Sequence, residues 1–280
     1  MKIYKSIKSL AEKIDGVKRK NKTIGFVPTM GFLHEGHLSL MRKAREDSDY
    51  LVVSIFVNPI QFGPREDFKK YPRDLKRDLG LCKINGVDVV FVPKRETIYP
   101  KDFFTHVDVE NLTTGLCGAQ RPGHFKGVVT IVAKLFNIVK PDIAYFGQKD
   151  AQQAIVIKKM AEDLNMPVKI KIMPIVREKD GLAMSSRNIY LTPEERREAL
   201  SIQRSLKLVK DLYRKGERRS KNITQKMRKT ILKEKDAKID YISIVDLERL
   251  KEVDRISKKT LVALAVRIGE TRLIDNVILN

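Results

Sequence analysis

"GFVPTMGFLHEGHLSL", Gly25 to Leu40, decides how the chain is read. With Ile24 it opens as an apolar run, passes through a Pro-Thr-Met-Gly turn and enters a helical pattern near Gly36. A strand that turns straight into a helix is the front half of a βαβ unit, and the pattern recurs. Short β-branched runs at Ile24–Val27, Leu51–Val57, Asp88–Val92, Ile143–Phe146 and Val168–Met173 each border a helical stretch. Strands alternating with helices predict a parallel sheet. The opening "MKIYKSIKSLAEKIDG" has helical spacing throughout. Val128–Val139 is apolar nearly all round, which predicts a buried helix, and Lys140-Pro141 stops it because proline cannot continue a helix. Asp150 is the expected N-cap of a helix over Ala151–Leu164.

The character changes after about Arg177. "LTPEERREAL" is a helix start: Thr192 as N-cap, Pro193 at the first helical position, Glu195 closing a capping box. Ala199, Ile202, Leu206, Val209 and Tyr213 then form one apolar stripe. A basic helical segment follows, then "DYISIVD", "LVALAVRIG" and "RLIDNVIL", three expected strands of a small α+β module. No low-complexity linker separates the halves, so the boundary is soft, between Ile175 and Thr192.

Lys and Arg number 56 against 35 Asp and Glu, a net charge of +21. Such a field attracts polyanions. The basic residues are interleaved with acids, however, as on a solvated surface. There is neither an aromatic-rich RNP pattern nor zinc-knuckle spacing, so nucleic acid is not the expected partner. The Lys/Arg/Glu-rich composition without Trp suits a heat-adapted host. Two cysteines, Cys82 and Cys117, without C-x-x-C spacing argue for a reducing cytoplasm. The start lacks the apolar block of a signal peptide. No stretch approaches the ~18 apolar residues of a membrane span; Lys134 and Asn137 interrupt the longest apolar-rich run, Gly127–Val139.

Of four histidines, His34 and His37 sit three apart in the opening stretch. Zinc-binding H-E-x-x-H helices space them by four, and Gly36 between them marks a helix entrance rather than a mid-helix site. A core role is a second reading, but Gly25, Gly31 and Gly36 suggest backbone approaching something closely. The third is phosphate. Exposed N–H groups at a helix start form an anion site, and imidazoles there can stabilise charge as a phosphoanhydride breaks. The Lys-Ser/Thr ending of a P-loop is absent.

Other polar groups follow the strands. Asn58 and Gln61 lie just past the second, where open α/β sheets bind ligands, or else form an Asn-Pro turn with solvated polar residues. Arg121, His124 and Lys126 precede the buried helix, as an anion site or as a locally satisfied turn. Lys149, Asp150 and Gln153 follow the fourth strand, where a lysine is a point charge for phosphate or an ordinary surface group. In "REKDGLAMSSRNIYLTPEE", Ser185, Ser186 and Arg187 offer hydroxyls and a guanidinium fork suited to polyphosphate, in a loop able to close over a ligand or simply bridging two domains.

"PTMGFLHEGHLSL", "VSIFVNPIQF", "YPRD", "RPGHFKGV", "YFGQKDAQQ" and "MSSRNIYL", in that order, resemble the pantothenate synthetases (pantoate–β-alanine ligases) from end to end. These are adenylate-forming enzymes of the nucleotidyltransferase-like Rossmann superfamily. The resemblance implies an α/β fold: a Rossmann-like parallel-sheet domain over 1–177 and a smaller α+β domain over 178–280 closing over the active site. It implies ATP-dependent joining of pantoate and β-alanine to pantothenate through pantoyl adenylate, releasing AMP and pyrophosphate. It further implies ATP as substrate, Mg²⁺, a homodimer and a cytoplasmic location. Carried over residue by residue, Met30, Gly31, Phe32, Leu33, His34, Glu35, Gly36 and His37 line the ATP site. His34 and His37 meet its phosphates, and His37 is the proton donor. Gly147, Gln148, Lys149, Asp150, Val176, Met184, Ser185, Ser186 and Arg187 complete that site, with Lys149 counted among the catalytic groups. Gln61 and Gln153 bind pantoate, Gln61 also near β-alanine; Asn58 and Arg121 are further candidates. Where the family often carries adjacent acids after "YPR", this chain has Arg77 beside Asp78, so the resemblance leaves the magnesium ligands open: Asp78 is one candidate, and ATP oxygens with water are the other.

Overall fold

The computed structural model describes residues 1–64, 66–257 and 259–280. The chain divides into two compact units. One comprises Met1–Val109, Arg121–Gln148 and Gln153–Pro174; the other comprises Glu110–Gln120, Lys149–Gln152 and Ile175–Asn280. The sequence suggests a single cut after residue 177. The units instead change over after Pro174, and two short stretches belong with the second unit. Neither stretch differs in composition from its surroundings, so nothing in the sequence marks them.

The chain runs β1 (Lys2–Tyr4), α1 (Ile7–Lys18), β2 (Ile24–Thr29), α2 (Glu35–Asp47), β3 (Tyr50–Ile55), α3 (Leu75–Ile84), β4 (Val89–Phe91) and α4 (Arg95–Ile98). It continues through α5 (Leu116–Gln120), α6 (His124–Val139), β5 (Ile143–Gly147), α7 (Ala151–Asp163) and β6 (Lys169–Met173). Last come α8 (Pro193–Arg214), α9 (Ser220–Ile231), β7 (Ala237–Asp246), β8 (Thr260–Ile268) and β9 (Thr271–Leu279).

Among the described residues the first unit holds a six-stranded sheet ordered β1-β4-β3-β2-β5-β6, with every pair parallel. Central parallel strands are covered on both faces, hence their continuous apolar runs. The order reverses at β2: β3 and β4 build outward on one side, β5 and β6 on the other. Ligands of open α/β sheets bind beyond the carboxyl ends at such a switch point. β2 pairs with β3 along its whole length, Ile24↔Tyr50 to Thr29↔Ile55, but with β5 only at Gly25 and Phe26. Thr23 and Thr29 accept from β3 (Tyr50 and Phe56 N–H), whereas Ile24 accepts from Asp142, on the β5 side. Pro28, in phase with Ile24, therefore faces β5 where pairing has ended, and its missing N–H leaves nothing unsatisfied.

The N-terminus corrects one expectation. Lys2–Tyr4 is not helical but an edge strand on β4, and the helix begins only at Ile7. Three residues are too few to show a period. Asp150 likewise closes a 3-10 turn, Gln148–Asp150, that runs straight into α7. α6 is buried nearly all round, as its composition requires, and ends with Lys140 in the left-handed region before Pro141. One core cluster gathers Val27, Leu33, Met41, Val53, Val90 and Tyr145 around the β2–α2 connection.

The second unit carries an antiparallel sheet, β7-β8-β9. Its core joins the α8 stripe of Ala199, Ile202, Leu206 and Val209 to Ile223 and Met227 of α9 and to Val262, Leu264 and Val266 of β8. The predicted capping box is present: Glu195 N–H donates to Thr192 Oγ1 at 3.2 Å, and Thr192 N–H to Glu195 Oε2 at 2.8 Å. The parallel α/β unit and the smaller α+β unit are those the sequence predicts.

Candidate active site

The connection between β2 and α2 is held from inside. Thr29 Oγ1 donates to Ser54 O of β3 at 2.8 Å and accepts Gly31 N–H at 3.2 Å. Gly31 (φ +80°) and Phe32 (φ +49°) then occupy the left-handed region, which a side chain enters at a cost and glycine does not. Asp78, in the first turn of α3 and 1% exposed, receives the next two amides: Phe32 N–H on Oδ2 and Leu33 N–H on Oδ1, both at 2.8 Å. Leu33 is a buried plug in the core. His34, in extended conformation, is the N-cap of α2, and its N–H donates to His37 Nδ1 at 3.3 Å. The two imidazole centroids lie 4.0 Å apart. With Nδ1 accepting, neutral His37 carries its proton on Nε2 and is a donor there.

Gly25 lies within β2 and Gly36 within the first turn of α2, and of the three only Gly31 has positive φ. Close approach is found at two of them: an added Cβ would run into the Ser48 hydroxyl at Gly25 and would lie 3.0 Å from Asp78 Oδ2 at Gly31. The amides of Gly31, Phe32, Leu33 and His34 also point to side chains of their own unit rather than outward.

Past β3, Pro59–Gln61 forms a 3-10 turn. Asn58, 1% exposed, does not present itself to a ligand. Its Nδ2 donates to Gln61 Oε1 and to Gly127 O, both at 3.0 Å, and its Oδ1 accepts from Tyr99 OH at 2.8 Å. Burial raises the Tyr99 hydroxyl above its ordinary range, so it stays a donor. Gln61 Nε2 reaches Met30 Sδ at 3.0 Å. The turn sits on α6 at Gly127, where an added Cβ would lie 2.5 Å from Ile60 O. Arg121 differs from its candidate role. Its fork is taken by Glu66, with Nε and Nη2 each 2.6 Å from an oxygen. Its Nη1 donates to His124 Nε2 at 3.0 Å, and His124 Nδ1 donates to Gln61 O at 2.8 Å. Burial pushes the Glu66 carboxyl up, but the Arg121 hydrogen bonds and charge outweigh it and hold Glu66 below its usual value. The locally satisfied turn is thus the reading the geometry favours. Gly147 ends β5, Gln148 opens the 3-10 turn after it, and Gln153 is half-buried in α7.

The second unit carries the remaining candidates. Lys149 Nζ lies 3.8 Å from Asp150 Oδ1, and Lys149 O accepts Asn276 Nδ2 at 3.1 Å. The loop from Val176 to Arg187 is braced rather than loose. Met184 N–H donates to Val176 O at 3.0 Å. Arg177 forks onto buried Asp275 at 2.6 and 3.0 Å. Arg196 of α8 reaches Glu178 at 2.6 Å and Asp180 at 2.7 Å, and Asn188 reaches Glu178 at 2.6 Å and Ala183 O at 3.1 Å. Ser185 Oγ accepts Arg187 N–H at 3.3 Å and starts the Ser186–Tyr190 turn, in which Ser186 is buried.

Sequence reasoning missed several of these groups. Asp275, Glu178 and Arg196 brace the loop without a local motif. Gln152, beside the expected Gln153, is buried; it accepts Cys117 N–H at 3.0 Å and donates to Leu112 O and Gly115 O at 2.9 and 3.0 Å. Asp78 fits a magnesium ligand poorly, because both its oxygens already receive amides. Among the described residues no three or more His, Cys, Asp or Glu side chains form a group able to hold a metal. No helix of the described residues is long and apolar enough to cross a membrane.

The family model described as Pantoate-beta-alanine ligase matches residues 2–278. The pantothenate synthetase of Heliobacterium modesticaldum is 57% identical over 278 residues, covering 99% of each chain. The crystal structure of pantothenate synthetase from Thermus thermophilus superposes with a TM-score of 0.94 at 42% identity, covering 99% of each chain. Pantoate-beta-alanine ligase from Francisella tularensis, solved complexed with beta-gamma ATP and beta-alanine, gives 0.80 at 35% identity over 99% of this chain and 97% of that one. With a family match that spans both units and relatives matched along essentially their whole length, this chain belongs to the pantoate–β-alanine ligase family.

Proposed function

We propose that the chain catalyses the ATP-dependent condensation of pantoate with β-alanine to pantothenate in two steps. In the first, a pantoate carboxylate oxygen bonds to the α-phosphorus of ATP as the Pα–O–Pβ bond breaks. Pyrophosphate leaves and pantoyl adenylate remains. In the second, the β-alanine amine bonds to the acyl carbon, the acyl–O bond breaks, AMP leaves with the electron pair, and the amine gives up its proton. Adenylation supplies the leaving group that a carboxylate lacks, so much of the first step is alignment and charge stabilisation around phosphate.

The observation that carries this reading is the contact of Gln61 Nε2 with Met30 Sδ. It sets an amide suited to a hydroxy acid against the turn that bears two imidazoles suited to phosphate. Both lie at the carboxyl ends of neighbouring strands, β2 and β3. In this assignment His37 donates through Nε2–H to the oxygen that gains charge as pyrophosphate departs, and His34 meets the phosphates beside it. Lys149, Ser185, Ser186 and Arg187 supply ammonium, hydroxyl and guanidinium donors for the outer phosphates, while Gly147, Gln148, Asp150, Val176 and Met184 form walls of the nucleotide site. Gln61 and Gln153 hold pantoate. Asn58 and Arg121 act through Gln61, by fixing its side chain and its backbone. Magnesium belongs to the proposal as part of the nucleotide substrate, held by phosphate oxygens and water, as magnesium often is. A homodimer and a cytoplasmic location complete it; two unpaired cysteines suit a reducing compartment.

Pantoate-dependent exchange of pyrophosphate into ATP tests the reading. Wild-type protein is expected to exchange with pantoate and not without it, and absence of exchange with pantoate ends the assignment. His37→Ala and Lys149→Ala are expected to lower turnover roughly a hundredfold or more if they stabilise transition-state charge. Size-exclusion chromatography with light scattering tests the dimer.

A further inference from the structure

Four successive amides, Gly31 to His34, are each taken by a side-chain acceptor: Thr29 Oγ1, Asp78 Oδ2, Asp78 Oδ1 and His37 Nδ1. The middle pair goes to one carboxylate that arrives from α3, about 45 residues along the chain. That carboxylate is buried, and a Cβ on Gly31 would lie 3.0 Å from its Oδ2. It sits against the two residues of the turn whose backbone is left-handed. A left-handed Phe is unfavourable on its own and persists only when its surroundings fix it. Asp78 supplies that fixation directly: each oxygen receives one amide, and the two amides lie on either side of Phe32, two residues before His34. Arg77, next to Asp78, places its guanidinium 5.3 Å from the centre of the Phe32 ring, a second hold on the same residue. The turn is therefore clamped from α3 by both backbone and ring, and the imidazole pair begins one residue beyond the clamp.

We propose that Asp78 is a positioning residue for the adenylation step: its carboxylate fixes the Gly31–Leu33 turn that presents His34 and His37 to the nucleotide, and it is not a metal ligand. The inference rests on the proposed ATP chemistry of the two histidines. Ionisation matters, because a carboxylate offers two acceptors to two N–H groups. Burial raises the Asp78 carboxyl from its ordinary value, and the two amide hydrogen bonds oppose this.

Asp78→Asn keeps the volume but turns an NH₂ toward one of the two amides, so one hydrogen bond is replaced by a donor facing a donor. The turn must shift by a fraction of an ångström to about 1 Å, and the exchange rate at saturating substrates is expected to fall roughly ten- to a hundredfold. The KM for pantoate is expected to change less than the rate, because Gln61 keeps its bond to Asn58 and only its contact with Met30 lies on the shifted turn. The Mg²⁺ concentration giving half-maximal rate, measured at saturating ATP, is expected to stay unchanged. Thr29→Val removes the acceptor for Gly31 N–H from the opposite side of the turn. It is expected to lower the exchange rate in the same way by a smaller factor, and it provides the test should Asp78→Asn fail to fold. Circular dichroism and a thermal melt establish that the variants assayed are folded. Wild-type rates in folded Asp78→Asn overturn the proposal. A rise in the Mg²⁺ requirement also overturns it, in favour of a metal ligand, as does a fall confined to pantoate affinity. Wild-type protein run alongside separates the two levels: if it shows no pantoate-dependent exchange, the functional reading fails, whereas an active wild type with indifferent variants removes only the role of Asp78.

Discussion

Gly127→Ala is the substitution whose effect the geometry specifies most closely. Helix propensity alone favours alanine by about 1 kcal/mol at an interior position of α6. The surroundings say otherwise. An added Cβ would lie 2.5 Å from Ile60 O, where ordinary C···O contacts begin at about 3.3–3.6 Å, a shortfall of about 1 Å. It would also lie 2.7 Å from Gln61 Cα, against about 3.5–4.0 Å for carbon pairs, again short by about 1 Å. Both obstacles are backbone, so no side chain can swing aside. α6 cannot retreat, because Val128, Val129 and Ile131 anchor it in the core. The Ile60–Gln61 segment must move, and with it the bond from Asn58 Nδ2 to Gly127 O. Overpacking of this kind destabilises by about 1–3 kcal/mol, which offsets the propensity gain and leaves a net loss of up to about 2 kcal/mol. A displacement of about 1 Å at Gln61 is expected to lower kcat/KM for pantoate roughly a hundredfold. The KM for ATP should stay close to wild type, because the Asp78 clamp on the other turn is intact. Steady-state exchange kinetics with each substrate varied in turn, together with a thermal melt, make the measurement. A variant that melts higher than wild type and keeps its pantoate kinetics refutes the claim that close approach of the turn requires glycine.

Asn58→Ala removes the partner of Gln61 Oε1, of Gly127 O and of the buried Tyr99 hydroxyl. The orphaned groups are expected to lower stability by about 1–3 kcal/mol in urea titrations and to raise the KM for pantoate, and an unchanged KM removes the positioning role. Glu66→Gln tests the clamp on Arg121 through pH. Glu66 sits below its ordinary value in the folded protein, so its stabilising contribution is present above the unfolded carboxylate range of ~4.3 and is lost as pH falls through the folded value. The gap in melting temperature between wild type and Glu66→Gln should therefore be largest near neutrality and close in acid, and a gap that widens on acidification contradicts it. Asp275→Ala strands Arg177, which is only partly exposed, and is expected to destabilise by about 3 kcal/mol, the low end for breaking a buried pair, as read from denaturant midpoints.

The parallel strands were legible because each is buried on both faces and so reads as an unbroken apolar run. β1 was not, since Lys2–Tyr4 is too short to show a period and lies next to a long helical pattern. His34 and His37 stood out as a rare residue type repeated at a strand-to-helix turn, a local signal. Asp78 did not, because its task is set by amides about 45 residues away. Arg121 misled for the same reason: beside His124 and Lys126 it suggests an anion site, and the acid that occupies it, Glu66, comes from a loop 55 residues earlier. Gln152 and Gln153 show the limit most sharply. Adjacent and chemically identical, they differ only in the face of α7 they occupy. Gln152 is a buried clamp on Leu112, Gly115 and Cys117, while Gln153 is left half-buried with its amide for other work.

Under the proposed assignment, the inward-facing amides also bear on which groups meet phosphate. In a glycine-rich nest, successive N–H groups point at the anion, and side chains add to a site that backbone already forms. In this turn the amides of Gly31 to His34 are engaged with Thr29, Asp78 and His37, so the proposed assignment gives the imidazoles the donor role on a stiff support. Imidazole suits that arrangement. Two rings 4.0 Å apart would repel if both were charged, whereas neutral rings can each donate one N–H without that penalty. The amide of His34 helps choose the form, because it occupies Nδ1 of His37 and leaves the proton on Nε2. One hydrogen bond from the backbone thus serves the helix start and selects the tautomer with its donor on Nε2. This is why a stiff turn is worth two left-handed residues and a buried carboxylate: were the turn free to relax, the N–H would leave Nδ1, and the ring would lose its orientation and its preferred proton together.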